Sequence, residues 1–102
     1  MDNKSKPKMH QFEGEFDFTV GKTIRYSFYD GFKDCIEYKY FVKGHIFMGC
    51  VYIDSRINLP LNKFFRVKYS IIEPTISELY LKEQITDSIL ITRAGFKFKK
   101  ND

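Results

Sequence analysis

The sequence predicts an all-β domain: a small antiparallel barrel, partly open and of SH3-like or OB-like kind, with five to six strands and a short C-terminal helical turn. Three observations carry this. Apolar side chains recur with period two over much of residues 12–81, which marks strands with one covered face. Turn signals such as Asp30-Gly31 and Lys43-Gly44 interrupt that pattern at a spacing of roughly eight to twelve residues, as in small sandwiches and barrels. The chain has only 102 residues but is 18% aromatic, with 11 Phe and 7 Tyr, and rings of that size fill a narrow barrel.

Residues 1–11 read as a flexible polar lead-in, 12–96 as a single β-barrel domain and 97–102 as a basic tail. From Phe12 the alternation begins. Phe16, Phe18, Val20, Ile24, Tyr26 and Phe28 occupy even positions and are expected on one covered face. Gly21 inside that run predicts a bulge or a sharp bend, leaving one long bent strand or two shorter ones. Tyr29-Asp30-Gly31 is the next turn.

Residues 35–53 form the clearest element. Two apolar-rich runs flank Lys43-Gly44, a two-residue turn in which glycine takes a positive φ. That turn sets Val42 opposite His45, Tyr40 opposite Phe47, Tyr38 opposite Gly49 and Ile36 opposite Val51, an almost wholly apolar face. The other face carries Cys35, Glu37, Lys39 and Phe41 against Tyr52, Cys50, Met48 and Ile46. A slip of one residue would bury Glu37 and Lys39, so the register is well specified.

Residues 54–63 form the longest loop. Phe65, Val67, Tyr69 and Ile71 then alternate with Phe64, Arg66, Lys68 and Ser70 as a strand that stops at Glu73-Pro74, because proline cannot donate to a ladder. Residues 76–81 make a last short strand. Thr86-Asp87 can cap a helical turn over 88–94 with Gly95 beyond its end, although Ile89, Ile91 and Thr92 favour a strand.

The net charge of +4 lies entirely at the ends: Lys4, Lys6 and Lys8 against Asp2, and Lys97, Lys99 and Lys100 against Asp102. The stretch between them is balanced, which argues against a nucleic-acid interface, whose footprint is a basic stripe on the folded face. No apolar run approaches the ~18 residues of a membrane span, so direct membrane insertion is not expected. No leader with an apolar stretch is visible. The expected location is the cytoplasm or a membrane-proximal soluble part.

Chemistry-bearing motifs are sparse. Gly21-Lys22-Thr23 resembles the end of a P-loop, but the preceding Gly14 is wrongly spaced and the residues that follow alternate as a strand rather than opening a helix. A structural zinc site needs about four ligands; the chain has Cys35, Cys50, His10 and His45, and the hairpin register sends His45 and Cys50 to opposite faces. Cys35 and Cys50 share a face as diagonal neighbours, ~7–8 Å apart by Cα in a regular ladder. That exceeds comfortable disulfide reach and predicts two reduced, half-buried thiols. Asp30 and Asp34 flank a turn and read as turn formers rather than a carboxylate pair. No nucleophile elbow occurs. No catalytic residue, cofactor or metal is assigned.

Within residues 36–81, the pattern Tyr38-x-Tyr40-x-Val42-x-Gly44, then Gly49, Phe65-x-Val67-x-Tyr69, Pro74 and Ser77-x-Leu79 resembles a group of small bacterial β-domains of unknown function. Many of these sit beside transmembrane helices. The resemblance implies a compact β-barrel and carries over no catalytic residue. Asn62 stands where that group has glycine, and asparagine tolerates the left-handed conformation. His45 replaces the group's lysine, and Ile71-Ile72 replaces a polar pair.

The leading expectation is a non-enzymatic domain that works by contact with a protein partner or with itself. Its surface would be the mixed hairpin face (Phe41, Ile46, Met48, Tyr52) or the Ile71-Ile72 corner. The alternative is weak single-strand nucleic-acid binding through exposed rings beside Lys39, Phe64, Arg66 and Lys68. An enzyme of unknown class is the third.

Overall fold

The computed structural model describes residues 14–97. The lead-in assigned to 1–11 and all of the basic tail after Lys97 lie outside the described residues. Five strands form one sheet: β1 (Phe16–Tyr29), β2 (Phe32–Val42), β3 (His45–Tyr52), β4 (Phe64–Ser70) and β5 (Ser77–Gln84). One short helix, α1 (Ser88–Arg93), follows them. The spatial order is β3-β2-β1-β4-β5, with every neighbouring pair antiparallel. It follows that β1, β3 and β5 run in one direction. The edge strands β3 and β5 approach each other without pairing. The sheet is coiled but not closed, a partly open barrel whose strand order is OB-like.

The long central strand makes this possible. The first half of β1 pairs with β4, from Phe16 opposite Ser70 to Lys22 opposite Phe64. The second half pairs with β2, from Lys22 opposite Lys39 to Tyr29 opposite Phe32. Between the halves, Gly21 lies so close to β4 that a Cβ there would stand 2.5 Å from Val67 Cγ2. A bulge at Ile24 shifts the register between Thr23 and Arg25.

That bulge corrects the single even-numbered apolar face. Below it, Val67 and Phe65 point inward opposite Thr19 and Gly21, and Phe16, Phe18, Val20 and Lys22 point outward. Above it, Tyr26 lies opposite the fully buried Ile36. An inserted residue exchanges the two faces because side chains alternate with period two. Phe16 and Phe18 are therefore 44% and 41% exposed, and Phe28 at the far end is 61% exposed.

The hairpin β2–β3 has the predicted register throughout, from Cys35 opposite Tyr52 to Val42 opposite His45. Lys43 (φ 52) and Gly44 (φ 82) both take positive φ, the type I′ geometry that suits twisted strands. Asp30 (φ 56) and Gly31 (φ 84) do the same between β1 and β2. The interior of the barrel is filled by Tyr38, Tyr40, Val42, Phe65, Val67 and Leu79.

A second, smaller core lies on the outer face of the sheet. There Val20 packs with Ile91 and Phe96, flanked by Phe41, Phe64 and Ile85. The helix wins the competition at 88–94 through its caps and this burial. Asp87 Oδ1 accepts from Ile89 N at 2.8 Å, satisfying an otherwise orphaned donor. Gly95, at φ +111, turns the chain back over Phe41, and Ile91 is 1% exposed. The loop 53–63 is fastened to the bulge: the Thr23 hydroxyl accepts from Lys63 N at 3.1 Å, and Tyr26 Oη donates to the Leu59 carbonyl.

Candidate functional site

Two outward surfaces carry side chains that the fold itself does not use. The first is the outer face of the edge strand β3. Ile46, Met48, Cys50 and Tyr52 alternate outward along it; Ile46, Met48 and Tyr52 are 59%, 46% and 77% exposed. Phe41, expected beside them, is not open. Its ring meets Phe96 edge-on at 5.0 Å, because the segment after α1 folds down onto β2. Phe64, expected on the nucleic-acid face, meets the same Phe96 at 5.1 Å. Nothing in the strand pattern of β2 or β4 signals this; the covering ring lies some 55 residues beyond Phe41 (96 − 41).

Cys50 and Cys35 depart from the expectation of free thiols. They are joined in a disulfide between β3 and β2, with Cα atoms 5.8 Å apart. The right-handed twist of the hairpin shortens one diagonal of the ladder and brings the pair inside the usual disulfide range. Cys35 is buried while Cys50 is an exposed residue. Beside it the Arg25 and Glu37 side chains pair at 2.9 Å, leaving no net charge there.

The second surface is the outer face of β1, β4 and β5. Phe16 and Phe18 contact each other edge-on at 5.7 Å, and Phe18 also meets Tyr80 at 6.4 Å. Lys68 Nζ lies 4.1 Å from the Phe16 ring centre, and the Arg66 guanidinium lies 5.0 Å from that of Phe18. Arg66 Nε also lies 2.6 Å from Glu83 Oε1. Arg66 and Lys68 are thus brought together, as the sequence placed them, but over rings expected to be inside. The signal available was Lys22, a charged residue in the even-numbered series, which already marks that face as wet before the bulge. Lys39 stands on β2 opposite Met48 and Lys22. Ile71 and Ile72 are 43% and 79% exposed, at the turn after β4. Ile71 N there donates to the Glu15 carbonyl at 3.1 Å.

Among the described residues, no three His, Cys, Asp or Glu side chains gather as metal ligands would. The strongest pKa effects belong to the interior. Burial pushes the Tyr38 phenol up to about 12, only partly opposed by its hydrogen bond to Ser77, and burial likewise raises Tyr40. Both hydroxyls are held by structural partners, Ser77 Oγ at 2.7 Å and the Pro74 carbonyl at 2.6 Å. No family model matches the chain, and no curated protein or solved structure matches it.

Proposed function

We propose that this domain is a non-catalytic contact module that pairs with a second copy of itself through the outer face of β3. The observation that carries the reading is the row Ile46, Met48 and Tyr52 on an edge strand, exposed and uncharged. An edge strand offers unpaired backbone groups as well as side chains. Of its neighbouring charges, Arg25 and Glu37 pair with each other, and Lys39 stands opposite Met48 on the adjacent strand. A self-complementary strip of this kind suits an isologous two-fold interface. The hairpin's resemblance to small bacterial β-domains belongs to the same proposal.

The geometry favours single-strand nucleic-acid binding less. Phe64 is covered by Phe96, and the rings of Phe18 and Phe16 each already carry a cation. Stacking a base on those faces would first displace Arg66 or Lys68.

Light scattering over a hundredfold concentration range tests the proposal. Dimerisation that is lost in Ile46→Glu and Met48→Glu supports it. A monomer at every concentration overturns it, as does a dimer indifferent to both substitutions. A complex formed only with a single-stranded oligonucleotide, and lost steeply with salt, would establish the other reading in its place.

A further inference from the structure

A groove runs under α1, and none of Ile46, Met48 and Tyr52 lines it. It has two lobes of about 410 and 420 Å³ that share Phe18, Thr19, Arg93 and Ala94. Each lobe is within the usual size of a small-molecule site. The first is walled by Val20, Ile85 and Leu90, with Arg66 at its side. The second runs past Phe41 and Tyr69 to Lys43 in the β2–β3 turn. Three cations, Arg66, Arg93 and Lys43, therefore border the groove, and no Asp or Glu lines either lobe.

We propose that this groove binds a small organic anion: an aromatic or short acyl body lying against Phe18 and Leu90, with its carboxylate or phosphate held by Arg93 and Arg66. Phe18 and Leu90 are 41% and 44% exposed; Arg66 lies over the Phe18 ring at 5.0 Å, so the body meets Phe18 on the ring surface that Arg66 leaves open. Arg93 has no carboxylate partner among the described residues. Arg66 Nε lies 2.6 Å from Glu83 Oε1, so its charge is already partly met, while its planar, multi-donor guanidinium can take a second anionic partner beside Glu83. The chain's own ends do not complement this charge: residues 1–8 and 97–102 are both net basic. The occupant must bring the negative charge itself.

Backbone amide NMR of the full chain, titrated with phenyl phosphate, phenylacetate, benzyl alcohol and inorganic phosphate, decides the matter. The expected result is saturable shifts confined to Thr19, Val20, Ala94 and Gly95 for phenyl phosphate or phenylacetate. Neutral benzyl alcohol and inorganic phosphate should bind at least tenfold more weakly. The relative strength of the two aromatic anions tells a phosphate site from a carboxylate site. Arg93→Gln should weaken the anions at least fivefold without changing the benzyl alcohol response. Arg93 is exposed, so the variant is expected to melt with the parent; Leu90→Ser, also exposed, gives a second variant that should weaken all three aromatic probes. Shifts that do not saturate, that spread over the sheet, that are equal for charged and neutral probes, or that persist in Arg93→Gln would overturn the proposal.

Discussion

The Tyr38 hydroxyl reaches Ser77 Oγ at 2.7 Å and so ties β2 to β5 across the opening of the barrel. To get there its ring passes directly beneath Gly49 of β3, where any Cβ would overlap the phenol. The barrel is thus sealed by one side chain where the edge strands fail to pair, and the absence of a side chain at position 49 is the condition for it.

Gly49→Ala should therefore destabilise the fold even though position 49 sits on an edge strand and its backbone has no special φ. The ring cannot be moved aside cheaply, since Tyr38 is 1% exposed and stacks on Tyr40. Overpacking of this kind costs about 1–3 kcal/mol. In a domain of this size that lowers Tm by roughly 4–8 °C per kcal/mol. Calorimetry would show it, and an unchanged Tm would mean that Tyr38 does not occupy the seam.

Stability should also fall at high pH. The Tyr38 phenol is held neutral by burial, with its pKa pushed up to about 12, whereas an unfolded tyrosine ionises near 10. The raised value means that the folded state keeps the proton longer. The stabilisation is complete below pH 10 and drains away between pH 10 and 12, up to about 3 kcal/mol. Tyr40 contributes in the same direction. Urea midpoints measured from pH 9 to 11.5 should decline in the parent and decline less in Tyr38→Phe. Parallel profiles would contradict the assignment to Tyr38.

The contrast between the two hairpin strands and β1 shows what the sequence could reveal. For β2 and β3 a short turn, Lys43-Gly44, fixes the register locally, and every pair follows from it. The helix was legible for the same reason, since Asp87 and Gly95 are its own punctuation. In β1 the decisive event is a single inserted residue, Ile24, whose cause is not local. Thr23, inward like Thr19 and Gly21, holds Lys63, 40 positions away, and the insertion that follows it turns Arg25 outward. Likewise Phe41 and Phe64 looked like surface residues because Phe96, which covers them, is distant in sequence. A flat ladder keeps Cys35 and Cys50 beyond bridging distance, and only the twist of the strands brings their Cα atoms to 5.8 Å. Candidate sites suffered most, because they lie on the outer face where these long-range choices decide what is covered.

The Cys35–Cys50 bridge should be reducible in the native protein and should add modest stability. Cys50 is an exposed residue on the edge strand β3, and a phosphine reductant is expected to reduce the bridge without unfolding. A bridge closing about 15 residues contributes at most about 3 kcal/mol by chain entropy. Here the Lys43-Gly44 turn already restrains the same loop, and about 1–2 kcal/mol is expected. Thiol titration should give two groups after mild reduction without denaturant, and Tm should drop by several degrees. Two thiols counted in the untreated, non-reduced protein would show that the bridge does not form.

Phe96 holds the outer core together, and its removal tests whether the C-terminal segment belongs to the domain. Its ring is 6% exposed and wedged edge-on against Phe41 and Phe64, while Phe96 N donates to the Ile91 carbonyl at 3.3 Å. Phe96→Ala deletes the contacts that fasten α1, at a cost of about 3 kcal/mol or more for a buried Phe. Because α1 is only six residues long, it has too few internal hydrogen bonds to persist without that packing. The loss should be regional rather than global. Amide exchange at Ile91 and Ala94 should accelerate strongly in Phe96→Ala, while the barrel amides of Tyr40 and Val67 slow or quicken only with overall stability. If α1 amides remain as protected as those of the barrel, the helix is anchored by something other than Phe96.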